Sequence, residues 1–132
     1  MDFQTFLFVL GRVLFGGYFL VNGLNHLTKL GAMVGYAKSK KVRSSKLAVI
    51  VSGLMIIVGG GGIILGVKIG WSVALISVFL ILVTFKMHAF WRVSDAGERM
   101  GEKINFLKNL ALLGATLMLL QIADWPVGYG GY

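Results

Sequence analysis

The chain has 132 residues, of which 57% are hydrophobic and only 14% charged, with a net charge of +8 and a mean hydropathy of +0.83. A water-soluble domain of this length needs more charge to cover its surface, so the expected solvent is a bilayer and the expected unit is one small domain spanning residues 1–132. There is no cysteine, which excludes thiol catalysis, disulfides and cysteine-ligated metals.

A membrane-spanning helix needs about 20 apolar residues, and four segments supply them. The first runs over residues 3–27. Its opening, "MDFQTFLFVLGRVLF", has no basic leader and is interrupted by Arg12, so it reads as a retained helix and not a signal peptide. Arg12, Gly16, Phe19, Gly23 and His26 follow at spacings of 4, 3, 4 and 3, which puts them on one helical stripe. Two glycines for close contact and two ionisable groups should face the bundle interior. Arg12 either snorkels to the near surface or pairs with Asp124 at the far end of the last span.

The polar stretch from Thr28 to Lys46 carries Lys29, Lys38, Lys40, Lys41, Arg43 and Lys46, with a short interfacial helix expected around Ala32–Lys38. The second span covers residues 47–66 and contains four consecutive glycines, Gly59–Gly62. In lipid the helix should persist, because an unpaired backbone costs more than the glycines do, and the glycines then let another backbone approach. They are no phosphate loop, since the Gly-Lys-Ser/Thr ending is absent. The third span, residues 70–91, follows so closely that the two must form an antiparallel hairpin. After a mixed-sign loop from Arg92 to Asn105, the fourth span covers residues 106–125. The expected fold is an all-α, membrane-embedded antiparallel four-helix bundle.

With four spans, both polar loops lie on one membrane face. That face also holds Lys86, Arg92, Arg99, Lys103 and Lys108, whereas the other holds only Arg12 and Lys68. The positive-inside rule makes the loop face cytoplasmic and turns both termini outward, in a prokaryotic cytoplasmic membrane. The basic charge fits anionic headgroups, and no basic patch is interleaved with stacking aromatics, so nucleic acid is not an expected partner.

Topology also gathers side chains from different spans. Asn25, His26, Lys86, His88, Trp91, Lys108 and Asn109 fall toward the loop face, forming a candidate polar pocket. The lysines and tryptophan have an ordinary explanation as snorkelling and interfacial residues. The histidines and asparagines have no long stem, and serve either a polar pocket or structural hydrogen bonds. Only two histidines exist. Placed near helix ends beside lysines, they argue against a haem, and no third ligand suggests a metal. No catalytic residue can be named, since neither a serine–histidine–acid pattern nor paired carboxylates occur within the spans.

Taken together, Gly11-Arg12, Gly16, Phe19 and Gly23, then "GLNHL", "GYAKSKKV", "SGLMIIVGG", "HAFW" and "NFLKNLALLGA" are similar to the DoxX family of small bacterial and archaeal four-helix membrane proteins. The resemblance covers nearly the whole chain. It implies a membrane-redox association, since relatives are linked to quinone-dependent sulfur oxidation and to membrane complexes handling oxidative stress. One departure stands out: where the family often has a glutamate before a Gly-Gly pair, this chain has Ile56. A carboxylate partner for the first-span arginine is thereby missing, leaving Asp124 as the only acid near a span.

The leading expectation is an accessory subunit of membrane oxidoreductase chemistry, with a quinone as the ligand of the polar pocket. A non-enzymatic scaffold or assembly partner, in a homo-oligomer or larger membrane complex, and a small-molecule or lipid transporter are the alternatives.

Overall fold

A computed structural model describes residues 1–129. Residues 130–132 of the "PVGYGGY" tail lie outside the described residues, and with them the expected position of the C-terminus. Five α-helices follow in order: α1 Phe3–Thr28, α2 Leu30–Ser39, α3 Ser45–Leu65, α4 Ile69–Met87 and α5 Ala96–Met118. All but α2 belong to segments long and apolar enough to cross a membrane. The fold is an all-α membrane bundle in which α1 and α4 run toward the face carrying the polar connections, and α3 and α5 run back.

Local sequence explains the helix ends. Asp2 caps α1 by accepting from the Thr5 N–H at 2.8 Å. At the hairpin, α3 stops in a Schellman motif, with Gly66 N–H donating to Ile63 O and Val67 N–H to Gly62 O. Gly66 sits at φ +67, which a glycine adopts without penalty.

Two boundaries differ from the sequence reading. The third span was expected to reach residue 91, but α4 ends at Met87; His88 is its cap, and the chain then turns through a 3₁₀ segment, Phe90–Arg92. Phe90 and Trp91 leave the helix to pack edge-on against Phe106, with centroids 5.4 and 5.6 Å away. The fourth span was expected over residues 106–125, but its helix runs from Ala96 to Met118. Asp95 starts it early by accepting from the Glu98 N–H at 2.8 Å. The supposed mixed-sign loop is therefore largely helix.

The helices pack as a row, α1–α3–α4–α5, in which the α1–α3 and α4–α5 pairs are joined through α3 and α4. α1 lies along α3, and α4 packs on both α3 and α5, whereas no comparable contact joins α1 to α4 or α5. Glycine makes the α1–α3 approach close. A Cβ at Gly16 would lie 2.6 Å from the Gly60 carbonyl oxygen, and one at Gly23 would lie 2.7 Å from that of Gly53. The buried residues of α1 are Arg12, Gly16, Phe19 and Gly23, the stripe of 3–4 spacing seen in the sequence.

The four-glycine run divides its work. Gly60 faces α1, Gly59 and Gly62 face Ser72 and Ile76 of α4, and Gly61 meets nothing within 4 Å. One core cluster, containing Phe19, Ile56, Ile63, Ile69, Val73, Ile76 and Leu80, closes the hairpin half of the bundle. Ile56 is fully buried there.

Candidate functional site

Toward the loop-rich face the two helix pairs separate, and a cavity of about 600 Å³ lies between them. Its lining is mostly apolar, including Phe19, Met55, Phe79 and Leu80, and also carries His26, Lys86, His88, Asn105, Lys108 and Asn109, with the His26 ring edge-on to Phe79 at 6.0 Å between centroids. α2 crosses its loop-rich end with Met33, Tyr36 and Ala37. A largely apolar pocket with a few polar groups in its lining suits an amphiphilic small molecule.

Of the seven residues expected to form a polar pocket, His26, Lys86, His88, Lys108 and Asn109 line this cavity. Asn25 and Trp91 do not. Asn25 lies on a half-buried flank of α1, where its carbonyl accepts from the Lys29 N–H. Trp91 is 52% exposed and belongs to the Phe106 cluster, because α4 has already ended.

The polar groups are held differently. His26 Nδ1 lies 3.1 Å from the Ser52 hydroxyl and 3.3 Å from the Val49 carbonyl, which fixes the ring against α3. Nε2 has no protein partner among the described residues. Lys108 donates to the Asn105 side chain at 3.2 Å. Asn109 is only 6% exposed and lines the cavity; its side chain makes no hydrogen bond among the described residues, and its amide is open to the cavity and not sealed in the core. An amide open to a cavity is a place where a ligand or water can complete its hydrogen bonds.

Glu102 organises the mouth. Its carboxylate accepts from Lys40 Nζ at 2.5 Å and meets His88 Nδ1 at 2.6 Å. One acid on α5 thus ties the end of α2 to the cap of α4. The hydrogen bond to Glu102 holds the Lys40 ammonium above its usual range. Burial, then the Glu102 charge, pushes the Tyr36 phenol up. Glu102 is not among the expected pocket residues, because the sequence from Arg92 to Asn105 reads as a mixed-sign loop. The missed signal was Asp95 followed three residues later by Glu98, a helix start that puts Glu102, Asn105 and Asn109 on one face.

At the opposite face Arg12 is 7% exposed. It does not pair with Asp124. Its guanidinium instead donates to the carbonyls of Pro126 at 3.0 Å and Val127 at 3.1 Å, with its Cζ 5.9 Å from the Phe8 ring centre and 5.8 Å from that of Trp125. Val127 takes a left-handed φ of 55 where its carbonyl meets Arg12. Gly66 leaves room for the guanidinium, since a Cβ there would lie 2.8 Å from Nη1. Ile56 lies roughly 15 Å along α3 from Gly66, so the side chain at position 56 is not beside Arg12; the arginine meets backbone carbonyls through its two terminal nitrogens instead of a carboxylate, while its buried Nε has no partner among the described residues.

Arg12→Lys keeps the charge but loses the fork that reaches two carbonyls. It is expected to cost about 1–2 kcal/mol and to release the tail. The check is a red shift of Trp125 emission with Trp71 and Trp91 replaced by phenylalanine.

In comparisons with known proteins, the DoxX family model matches residues 7–89. No curated protein matches the chain, and no solved structure does.

Proposed function

The chain belongs to the DoxX family, and from that premise we propose that it is an accessory subunit of a membrane oxidoreductase that seats a quinone headgroup in the cavity between its helix pairs. The observation that carries this reading is Asn109, an amide open to a largely apolar cavity and without a side-chain hydrogen bond among the described residues. His26 lines the same cavity, with Nδ1 engaged by Ser52 and Nε2 left for a ligand oxygen. A volume of about 600 Å³ is within the range of small-molecule sites.

When bound, a quinone supplies two-electron, two-proton carrier chemistry. The chain's own part is to hold the ring through Asn109 and His26 and to keep water out with Phe19, Phe79 and Leu80. Lys86 and Lys108 at the rim favour electron-rich oxygens by charge. The excess of basic residues on the loop-rich face supports a cytoplasmic placement of the mouth.

The test is thermal melting of the purified chain in nanodiscs, titrated with quinones of the benzoquinone and naphthoquinone types. A bound quinone should raise the Tm in proportion to the logarithm of its concentration. Asn109→Leu should lose at least about tenfold in affinity, near 1.4 kcal/mol, while keeping the Tm of the free protein. An unchanged Tm of the wild-type chain with every quinone would overturn the proposal.

A further inference from the structure

The cavity walls are joined at one end only. α3 and α4 touch closely at the hairpin end, where Gly59 and Gly62 admit Ser72 and Ile76. Toward the loop-rich end the cavity separates the pairs, and α1 has no substantial contact with α4 or α5. Six residues that line the cavity are exposed: Tyr36, Lys86 and Lys108 at its loop-rich end, and Tyr18 at 41%, Val51 at 45% and Leu82 at 62% along the helix flanks. The last three come from α1, α3 and α4 and lie roughly 8–15 Å inside the loop-rich ends of those helices, at about 1.5 Å per residue. A hydrocarbon core is about 30 Å thick, so these openings sit at the depth of acyl chains.

The loop-rich end is partly covered. α2 lies across it, with Ala37 buried and Met33 and Tyr36 turned to the cavity. Its far end is tied down by Lys40 on Glu102, and Glu102 also grips His88. Entry past Tyr18, Val51 and Leu82 needs no movement of α2 and no break in the Lys40–Glu102 tie.

We infer that the cavity is loaded sideways from the acyl-chain layer, between the α1–α3 and α4–α5 pairs. Its ligand class is then a bilayer-resident amphiphile with a hydrocarbon tail, not a water-soluble solute. This inference rests on the quinone reading only for the identity of the headgroup, and its test uses no quinone.

Because the chain has no cysteine, single cysteines can be placed in the cavity without other changes. Nitroxide labels are attached to the full chain at Met55→Cys and, separately, at Val83→Cys, which lie on opposite walls. Lipid-facing Leu54→Cys serves as the reference. In phosphatidylcholine–phosphatidylglycerol nanodiscs, power saturation compares collisions with oxygen, which concentrates in lipid, and with a water-soluble nickel chelate. The expected result is a several-fold excess of oxygen over nickel collisions at both cavity positions, as at Leu54→Cys. An excess of nickel collisions would reveal an aqueous mouth and overturn the inference. Exclusion of both reagents would mean a closed cavity and overturn it too. If no quinone stabilises the protein but oxygen reaches both labels, the quinone reading fails and the side route stands.

Discussion

Gly60→Ala is expected to lower the stability of the protein by about 1–3 kcal/mol or more, while Gly61→Ala, one residue on, leaves it unchanged or slightly raised. A Cβ at position 60 would meet the Gly16 carbonyl oxygen at 2.6 Å, the Leu20 nitrogen at 2.9 Å and the Phe19 Cβ at 3.1 Å. Two of these are backbone atoms of α1, so no side-chain rotation relieves the clash and the helix itself has to move. The penalty matters in a bilayer, where lipid tails are as apolar as the helices and association rests on close packing. At Gly61 an added methyl meets nothing within 4 Å, and alanine is the better helix former by up to about 1 kcal/mol. Melting of the two variants in the same detergent separates them. Coincident curves would show that the α1–α3 clasp is not where stability lies.

Glu102→Ala should free α2. It removes the acceptor of Lys40 and the partner of His88 together, at side-chain exposures of 14% for the acid and 23% for the lysine. Exposed pairs contribute up to about 1 kcal/mol, and breaking a buried pair costs roughly 3–5 kcal/mol. This partly covered node falls between them, near 2 kcal/mol. Hydrogen exchange in Leu30–Ser39 should quicken by at least about tenfold, while exchange along α1 and α3 stays slow; Glu98→Gln is the control. Protection of α2 that is identical in Glu102→Ala would remove the tie from the account.

The tie also has a pH signature. Lys40 is held above its ordinary range by its hydrogen bond to Glu102. A group whose folded-state pKa is raised contributes stability that is complete below its unfolded value, about 10.4 for lysine, and lost as pH rises through the folded value. Protection of α2, corrected for intrinsic exchange, should therefore stay level from neutral pH to about 10 and fall only beyond it.

Much of the architecture was legible in the residues. Four apolar runs and the very short connection before Gly70 dictate an antiparallel bundle, because a helix is the only open-ended structure that satisfies its backbone in lipid. The 3–4 spacing of Arg12, Gly16, Phe19 and Gly23 coincides with the buried face of α1. Less was legible where polar residues dominate. Hydropathy cannot see a polar helical turn, so the first part of α5 looked like loop, although Asp95 and Glu98 mark its start. Greasy composition likewise carried the third span through Trp91, although the helix stops at Met87.

By itself, then, the sequence determined the solvent, the number of crossings and which face of the first helix turns inward, because these follow from local periodicity and the cost of exposed backbone. It also brought His26, His88 and Asn109 toward one face through topology alone. Tertiary structure decided the rest. That Gly60 answers Gly16 while Gly61 faces outward depends on helix rotation. That Glu102 joins Lys40 to His88 depends on three elements meeting in space. That Arg12 is met by the carbonyls of Pro126 and Val127 instead of Asp124 depends on the path of the tail. These are contacts between residues far apart in the chain, and no pattern within one segment encodes which partner is reached.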